Sequence, residues 1–260
     1  CLTAEYEYPY SDTTFEATNK SGLNPVIYLK LNETSVTPGF KLTDSSENNF
    51  NAYINGTITS VEGYDGVTNG AYNFDGSTGF IRISNINTLN DFGITNQITF
   101  SCWAKSNTAN WNTDGCLISR RNEANTKVIR LHINSGEKTI SFRSSDSDGA
   151  SSSYTEADTL EYSALDTDDV TVEDIQIWHL YTGTYDGSNW RIYIDGDKKN
   201  ESSFNQTTFD DNDFGSILIG KDDPVTSTTT DNRFFNGSID DVRIYNQALT
   251  DEEVQELYAS

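Results

Sequence analysis

One tryptophan in a polar loop has the best chemistry for binding a sugar. Trp111 lies among Asn, Thr and Asp residues. The C–H faces of sugars pack on aromatic rings, while amides and carboxylates bind the hydroxyls. We therefore predict a glycan site at Trp111, Asn112 and Asp114, with Trp190 and Tyr154 as secondary candidates. The alternative is that the indole of Trp111 folds back over the end of a sheet.

The few basic residues are unevenly distributed. Five of them are crowded into one stretch: Arg120, Arg121, Lys127, Arg130 and Arg143. Because an arginine fork matches a carboxylate or a sulfate, this strip is a candidate site for an acidic sugar, with Arg120 and Arg121 as its ligand-binding residues. The alternative is that these side chains pair with neighbouring acids.

Catalytic chemistry has little support in the sequence. The chain has two histidines, His132 and His179, no Gly-x-Ser-x-Gly motif and no plausible Cys-His pair. The acidic run between residues 166 and 174 falls in a predicted loop. The sequence therefore predicts a protein that is not an enzyme.

The overall charge limits the choice of partner. The 260 residues include 40 acidic and 17 basic side chains, for a formal net charge of −23. A protein that binds phosphates needs a basic surface, so nucleic acid and anionic membranes are poor partners. No apolar run reaches the length of a membrane span. Cations and neutral ligands fit the charge better, although an acidic surface also simply keeps a secreted protein soluble.

Short apolar runs separated by polar turns position these side chains. Alternation with a period of two, with enrichment in Ile, Val, Tyr, Phe and Trp, predicts β-strands. The predicted strands cover residues 26–31, 80–83, 98–105, 116–119, 128–133, 139–142, 177–185, 190–194, 216–220 and 239–245. This pattern predicts an all-β sandwich. A Ser- and Asp-rich insertion at about 144–176 interrupts it.

Local signals define the turns and the C-terminal end. Asp186-Gly187 and Asp195-Gly196 each lie between alternating strands, which predicts tight hairpins. Thr250 and Glu253 have the spacing of a capping box, so a short helix is expected after them.

The order of these features resembles a known family. A Trp178-His179 strand, the two hairpins, the run from Phe234 to Tyr245 and a capped helix follow in sequence. This order resembles the laminin-G-like, concanavalin A-like lectin/glucanase jelly rolls. The resemblance implies one jelly-roll domain over residues 24–260, which binds a glycan or a protein outside the cell. The chain lacks the Glu-x-Asp-x-x-Glu strand of the family's glucanases and the Gln-His strand of its alginate lyases.

The same resemblance implies one structural calcium ion. Its ligands would be Asp44 and Asn49 from an N-terminal loop and Asp240 from the closing strand, with Asp75 as a weaker candidate. The alternative is that Asp44 forms an Asx turn and that Asp240 makes a hydrogen bond or an ion pair.

The cysteines bear on location. Cys1 stands where a lipid-modified cysteine would stand in a processed lipoprotein, and residues 1–23 would then form a polar tether. Cys102 and Cys116 flank a loop and would pair only in an oxidising compartment.

The sequence as a whole predicts a non-catalytic, calcium-stabilised, lectin-like module that is extracellular or displayed on the cell surface. Two alternatives stay open. One is an adhesion or scaffold module that binds a surface protein, and the other is a polysaccharide hydrolase or lyase on the same fold. Fold alone does not decide among them.

Overall fold

A computed structural model describes residues 23–84, 97–111, 115–122, 127–133, 138–146, 161–162, 174–203, 215–222 and 233–260. The strands form two antiparallel sheets, here called sheet I and sheet II. In spatial order, sheet I contains β14 (Asp197–Ser203), β13 (Asn189–Ile194), β12 (His179–Tyr185), β7 (Ile98–Ser106), β16 (Asn236–Tyr245), β5 (Ala71–Asp75) and β4 (Ile58–Val61), and β1 (Ile27–Leu29) also pairs with β16.

Sheet II has eight strands among the described residues. In spatial order they are β11 (Glu161–Tyr162), β10 (Ile140–Asp146), β9 (Lys127–Ile133), β8 (Cys116–Asn122), β15 (Gly215–Ile219), β6 (Phe80–Ser84), β3 (Asn51–Asn55) and β2 (Lys41–Leu42). Strand β15 pairs with β8 on one side and with β6 on the other, so the middle of sheet II brings together distant parts of the chain.

The main core lies between the two sheets. In β7, Phe100, Cys102 and Ala104 belong to this core, while Trp103 belongs to a separate apolar cluster on the outer face of sheet I. The alternation follows from strand geometry, because successive side chains point to opposite faces. Burying a large apolar side chain contributes about 1.5–3 kcal/mol, so the inward positions stabilise the sandwich.

The predicted hairpins and the predicted helix are confirmed. Asp195 and Gly196 have φ values of 54° and 81° between β13 and β14, as a type I′ turn requires. Helix α1 (Asp251–Tyr258) begins after Thr250, whose side chain forms a capping box with Glu253. The helix buries Val254 and Leu257 against the outer face of sheet I.

The predicted all-β sandwich with a short C-terminal helix is confirmed. The first predicted strand is shorter than expected, because only Ile27–Leu29 pair with β16 and Leu31 has a left-handed φ of 52°. Cys102 and Cys116 are both buried, and no disulfide joins them in this structure.

Some predictions fall outside the described residues. Cys1 and the tether to residue 22 lie there, as does most of the 144–176 insertion. Within the described part of the chain, no helix is both long enough and apolar enough to cross a bilayer.

Candidate functional site

Trp111, the main predicted sugar-binding residue, is part of the core. Its side chain is 2% exposed, and its ring lies 6.4 Å from that of Tyr181 and 6.0 Å from that of Phe235, centroid to centroid. The prediction of an exposed indole is therefore wrong, because the loop folds back and packs this large apolar ring inside the sandwich. Asn112 and Asp114 lie outside the described residues.

The secondary aromatic candidates do not form an exposed platform either. Trp190 is fully buried and stacks on Tyr185, with their ring centroids 4.3 Å apart. The prediction of Trp190 as a binding residue is therefore also wrong, because β13 places its indole on the inner face of sheet I. Tyr154 lies outside the described residues.

The predicted basic strip is divided between the two faces of sheet II. Arg120 is in register with Ile129 and Ile217, both core residues, and is 2% exposed. It therefore lies on the inner face, and the prediction that it binds an external ligand is wrong. Arg121 is the next residue of β8, in register with Ser216, and its side chain is outside the description. Arg130 lies on the outer face.

The predicted calcium ligand Asp44 already has four protein donors. Its Oδ1 accepts hydrogen bonds from the backbone N–H groups of Tyr28 and Ser46, at 3.0 and 2.9 Å. Its Oδ2 accepts from the Ser46 hydroxyl at 2.8 Å and from the Phe50 N–H at 2.9 Å. Donors aimed at both oxygens suit a buried carboxylate that fastens a loop, and they leave little room for a cation.

The other predicted ligands are separately engaged. The exposed Asn49 donates to the Glu47 carbonyl at 3.3 Å. Asp75 accepts hydrogen bonds from residues 77–79 within its own turn. Asp240 accepts from the Tyr64 N–H at 3.2 Å, and burial, reinforced by nearby Asp241, raises its pKa to about 7.

Calcium therefore lacks a fitting donor set in the described ranges. No three acidic, histidine or cysteine side chains come together there in a way that could hold a metal ion. Asp44, Asn49, Asp75 and Asp240 each bond to a different set of protein groups. The calcium site stays a prediction that these residues do not support.

A row of six side chains crosses the outer face of sheet II, and five of them are polar or basic; the exception is Leu218, which is apolar and, like Ser119, buried. Successive register pairs link the row across β2, β3, β6, β15, β8 and β9: Lys41, Tyr53, Arg82, Leu218, Ser119 and Arg130. The residues on either side of each position point into the core, as Ile81 and Ile83 do beside Arg82. The alternation of the strands therefore gives this face its own polar character.

An aromatic and basic cluster lies at one end of this face. The rings of Phe80 and Phe234 are 6.2 Å apart, and the Lys221 ammonium lies 5.0 and 4.5 Å from their centroids. The Arg82 guanidinium lies 5.8 Å from the Phe80 ring. All four side chains are partly exposed. A backbone bridge between Lys221 and Phe234 holds the two distant segments together.

A buried carboxylate organises the neighbouring arginines. Asp222 is 0% exposed, and its Oδ2 lies 2.7 Å from Nη1 of Arg130 and 3.3 Å from Nη1 of Arg233. The Ser119 hydroxyl donates to the carbonyl of Lys221 at 2.7 Å. The two ion pairs tie the Arg130 and Arg233 side chains to Asp222, the residue that follows Lys221. We call Phe80, Arg82, Arg130, Lys221, Phe234 and Arg233 the sheet II cluster.

The sheet II cluster combines ring faces, planar guanidinium groups and an ammonium. This is the chemistry that binds the C–H faces, hydroxyls and acidic substituents of a sugar. No local sequence pattern indicates this cluster, because β6, β9 and the residues around Lys221 and Phe234 are widely separated along the chain. The usable signal was the pattern Phe80-Ile81-Arg82-Ile83, in which an arginine alternates with core isoleucines.

The fold and this face define the class of protein. It is an antiparallel two-sheet β-sandwich with one polar outer face that carries cations and aromatic rings. A sequence model of the concanavalin A-like lectin/glucanases superfamily matches residues 75–255. The chain belongs to this superfamily, and the resemblance inferred from the sequence is confirmed.

Solved structures show the same fold. Domain 4 of AbnA, a GH43 extracellular arabinanase from Geobacillus stearothermophilus in complex with arabinotriose, is 19% identical with a TM-score of 0.61; the match covers 90% of this chain and 98% of that one. The receptor-binding domain of botulinum neurotoxin C/D mosaic serotype is 18% identical with a TM-score of 0.61, over 91% of this chain and 51% of that one.

A third structure shows the fold in a protein complex. The binding domain of botulinum neurotoxin DC in complex with rat synaptotagmin II is 15% identical with a TM-score of 0.61, over 91% of this chain. The chain spans about half the length of both toxin domains, with 51% of each covered. At these identities the likeness concerns the fold alone. A search of curated proteins found no match.

Proposed function

We propose that this protein is a non-catalytic carbohydrate-binding module and that the outer face of sheet II binds the glycan. The observation that carries the proposal is the sheet II cluster, in which Lys221 lies 4.5 Å from the Phe234 ring and 5.0 Å from the Phe80 ring. Each such contact contributes about 0.5–1 kcal/mol at an exposed site, so the cation and the rings hold one another in place.

Fixed side chains bind a ligand at a lower entropic cost. The bonds of Asp222 to Arg130 and Arg233 fix the guanidinium groups before any ligand arrives. Phe80 and Phe234 are partly exposed and border this polar group. A sugar ring can therefore lie against a phenyl face while its hydroxyls or acidic groups meet the arginines.

The proposal assigns structural roles to the histidines. His179 is bonded to Asp195, with 2.6 Å between Nδ1 and Oδ2. His132 lies on the outer face of sheet II in register with Ser141, and both residues are buried. Neither arrangement places a histidine beside a nucleophile at the surface. The superfamily includes both enzymes and binding domains, so the absence of catalysis belongs to the proposal.

Binding assays with matched aromatic variants test the proposal. The purified chain is measured against arabinan, xylan, mixed-linkage β-glucan and polygalacturonate by affinity electrophoresis and titration calorimetry. We expect binding to at least one polymer, weakened about tenfold or more by Phe234→Ala, because a ring that contacts a ligand contributes more than 1 kcal/mol. Tyr258→Ala is the control, since it removes a partly exposed ring from the other side of the sandwich.

The same variants discriminate the protein-binding alternative. If no polymer is retained by the wild type, or if Phe234→Ala binds as the wild type does, the glycan proposal fails. Capture of a protein partner with unchanged behaviour of Phe234→Ala would then favour an adhesion module.

An extracellular or surface location is part of the proposal. It is supported by the acidic composition of the chain and by the likeness to a domain of an extracellular arabinanase. We propose no role for calcium in binding, because the predicted calcium ligands form hydrogen bonds with other groups of the protein.

A further inference from the structure

We infer that the outer face of sheet II selects an anionic glycan and that Arg82 and Lys41 recognise its carboxylate or sulfate groups. The inference rests on the proposed function and names the class of sugar that this site takes. Carboxylates and sulfates share the chemistry concerned, which is a planar or tetrahedral set of oxygens with negative charge.

The Arg82 guanidinium has no acidic partner among the described residues. Arg82 stands on β6 beside Phe80, and its Nε–H is buried without a hydrogen-bond partner. In the part of the chain that the structure describes, no ion pair involves Arg82. A buried N–H without a partner costs about 1–3 kcal/mol. The side chain as a whole is partly exposed and has no carboxylate partner among the described residues, so an anionic ligand can pair with the guanidinium.

Lys41, a second basic residue of this row, also lacks an acidic partner among the described residues. The chain has 40 acidic residues and 17 basic ones, so a basic side chain should find an acidic partner easily. The exposed Lys41 lies in the same row as Arg82, with Tyr53 between them in register, and the described residues give Lys41 no ion pair either. Two strand spacings separate the two positions, which is about 10 Å.

The nearby carboxylate of Asp222 is already paired with two other arginines. Asp222 is buried and bonds to Arg130 and Arg233. Its single negative charge offsets one of these two guanidinium groups and is not shared with Lys41 or Arg82, so the row keeps a net positive charge. On a chain with a net charge of −23, this local positive potential favours a ligand with spaced negative groups. A linear acidic polysaccharide has such groups at regular intervals.

Polymers that differ only in charge test the inference. Polygalacturonate is compared with highly methyl-esterified pectin, in which the carboxylates are capped, and dextran sulfate is compared with dextran. We expect the charged member of at least one pair to bind at least tenfold more tightly than its neutral counterpart. This binding should weaken between about 50 and about 500 mM NaCl, because salt screens exposed charges. The pair that shows the difference tells a carboxylate from a sulfate.

Three variants locate the effect. Arg82→Gln should weaken binding of the charged polymer about tenfold, and Lys41→Gln should weaken it by a smaller factor, because an ammonium lacks the fork. Arg82→Lys should lie between the wild type and Arg82→Gln. Lys105→Gln is the charge-matched control, since it removes one positive charge from β7 in sheet I, and we expect less than about a twofold change.

The outcomes distinguish a failure of anionic selectivity from a failure of carbohydrate binding itself. Equal binding of charged and neutral polymers, with loss on Phe234→Ala, would overturn the inference and leave carbohydrate binding intact. Equal effects of Arg82→Gln and Lys105→Gln would also overturn it, since the effect would then reflect net charge. No binding to any polymer would overturn both. A single cooperative thermal transition of Arg82→Gln shows that the variant is folded.

Discussion

The Asp240 carboxylate accepts a hydrogen bond from the backbone N–H of Tyr64, 176 residues away in the chain, at 3.2 Å. The Tyr64 ring stacks on Trp103, with centroids 4.2 Å apart and planes 6° from parallel. A Cβ at Gly63 would lie 2.8 Å from Oδ2 of Asp240 and 2.9 Å from Oδ1 of Asp65, so a larger residue there would displace these carboxylates. The loop between β4 and β5 is thus fastened to the outer face of sheet I by one carboxylate and one stacked ring.

This buried carboxylate should make stability depend on pH. Asp240 is 4% exposed, and burial together with nearby Asp241 raises its pKa to about 7 from the ordinary 3.8. A raised pKa means that the protonated form suits the folded state, so its contribution is full below about pH 4 and is lost as the pH rises through about 7. We expect Asp240→Asn to raise the melting temperature at pH 8 and to have little effect at pH 4. The gain is a few kcal/mol at most, since one pKa unit corresponds to about 1.4 kcal/mol.

Asp75 should show the opposite dependence of stability on pH. Burial raises its pKa, but hydrogen bonds from Thr78, Gly79 and Ser77 outweigh burial and hold the pKa well below its usual range. A lowered pKa contributes stability above the unfolded value, and that stability is lost as the pH falls. Asp75→Asn should therefore destabilise the protein at pH 7. Parallel pH profiles for Asp75→Asn and Asp240→Asn would contradict this account of both carboxylates.

His179 and Asp195 form a second contact that depends on pH. Burial lowers the pKa of His179, but the bond to Asp195 outweighs it and raises the pKa above 6.5. The pair therefore stabilises the fold fully below about pH 6.5, and this stability is lost as the pH rises through the raised value. Asp195→Asn keeps a residue suited to the left-handed turn position, so it isolates the charge. We expect a lower melting temperature than the wild type at pH 6 and a smaller difference at pH 9, measured by calorimetry.

The sequence predicted the strands, turns and helix of this protein better than its proposed binding face. Local signals were sufficient for the hairpin at Asp195-Gly196 and the capping box of Thr250 and Glu253, because both depend on residues that are close in sequence. Trp111 was misassigned because a polar loop can still fold its one large apolar side chain inward. The contact of Lys221 with Phe80 depends on strand order within sheet II, which no local pattern specifies.

Substitution of Asp44 tests whether its carboxylate is a hydrogen-bond acceptor or a metal ligand. In Asp44→Asn, the amide NH₂ would face protein donors at either oxygen position, because both oxygens accept hydrogen bonds. We expect a loss of about 1–3 kcal/mol, equal in calcium and in EDTA by chemical denaturation. A wild type that EDTA destabilises to the level of Asp44→Asn would instead support the calcium site.

Two substitutions of Trp111 test whether this residue stabilises the core or binds a ligand. Trp111→Ala should cost about 3–5 kcal/mol, because it leaves a cavity between Tyr181 and Phe235. Trp111→Phe should cost less, since it also removes an indole N–H that is buried without a hydrogen-bond partner. Both variants, when folded at low temperature, should bind any glycan ligand as the wild type does, while Phe234→Ala should not. Loss of affinity in Trp111→Phe without loss of stability would return the binding site to the loop around residue 111.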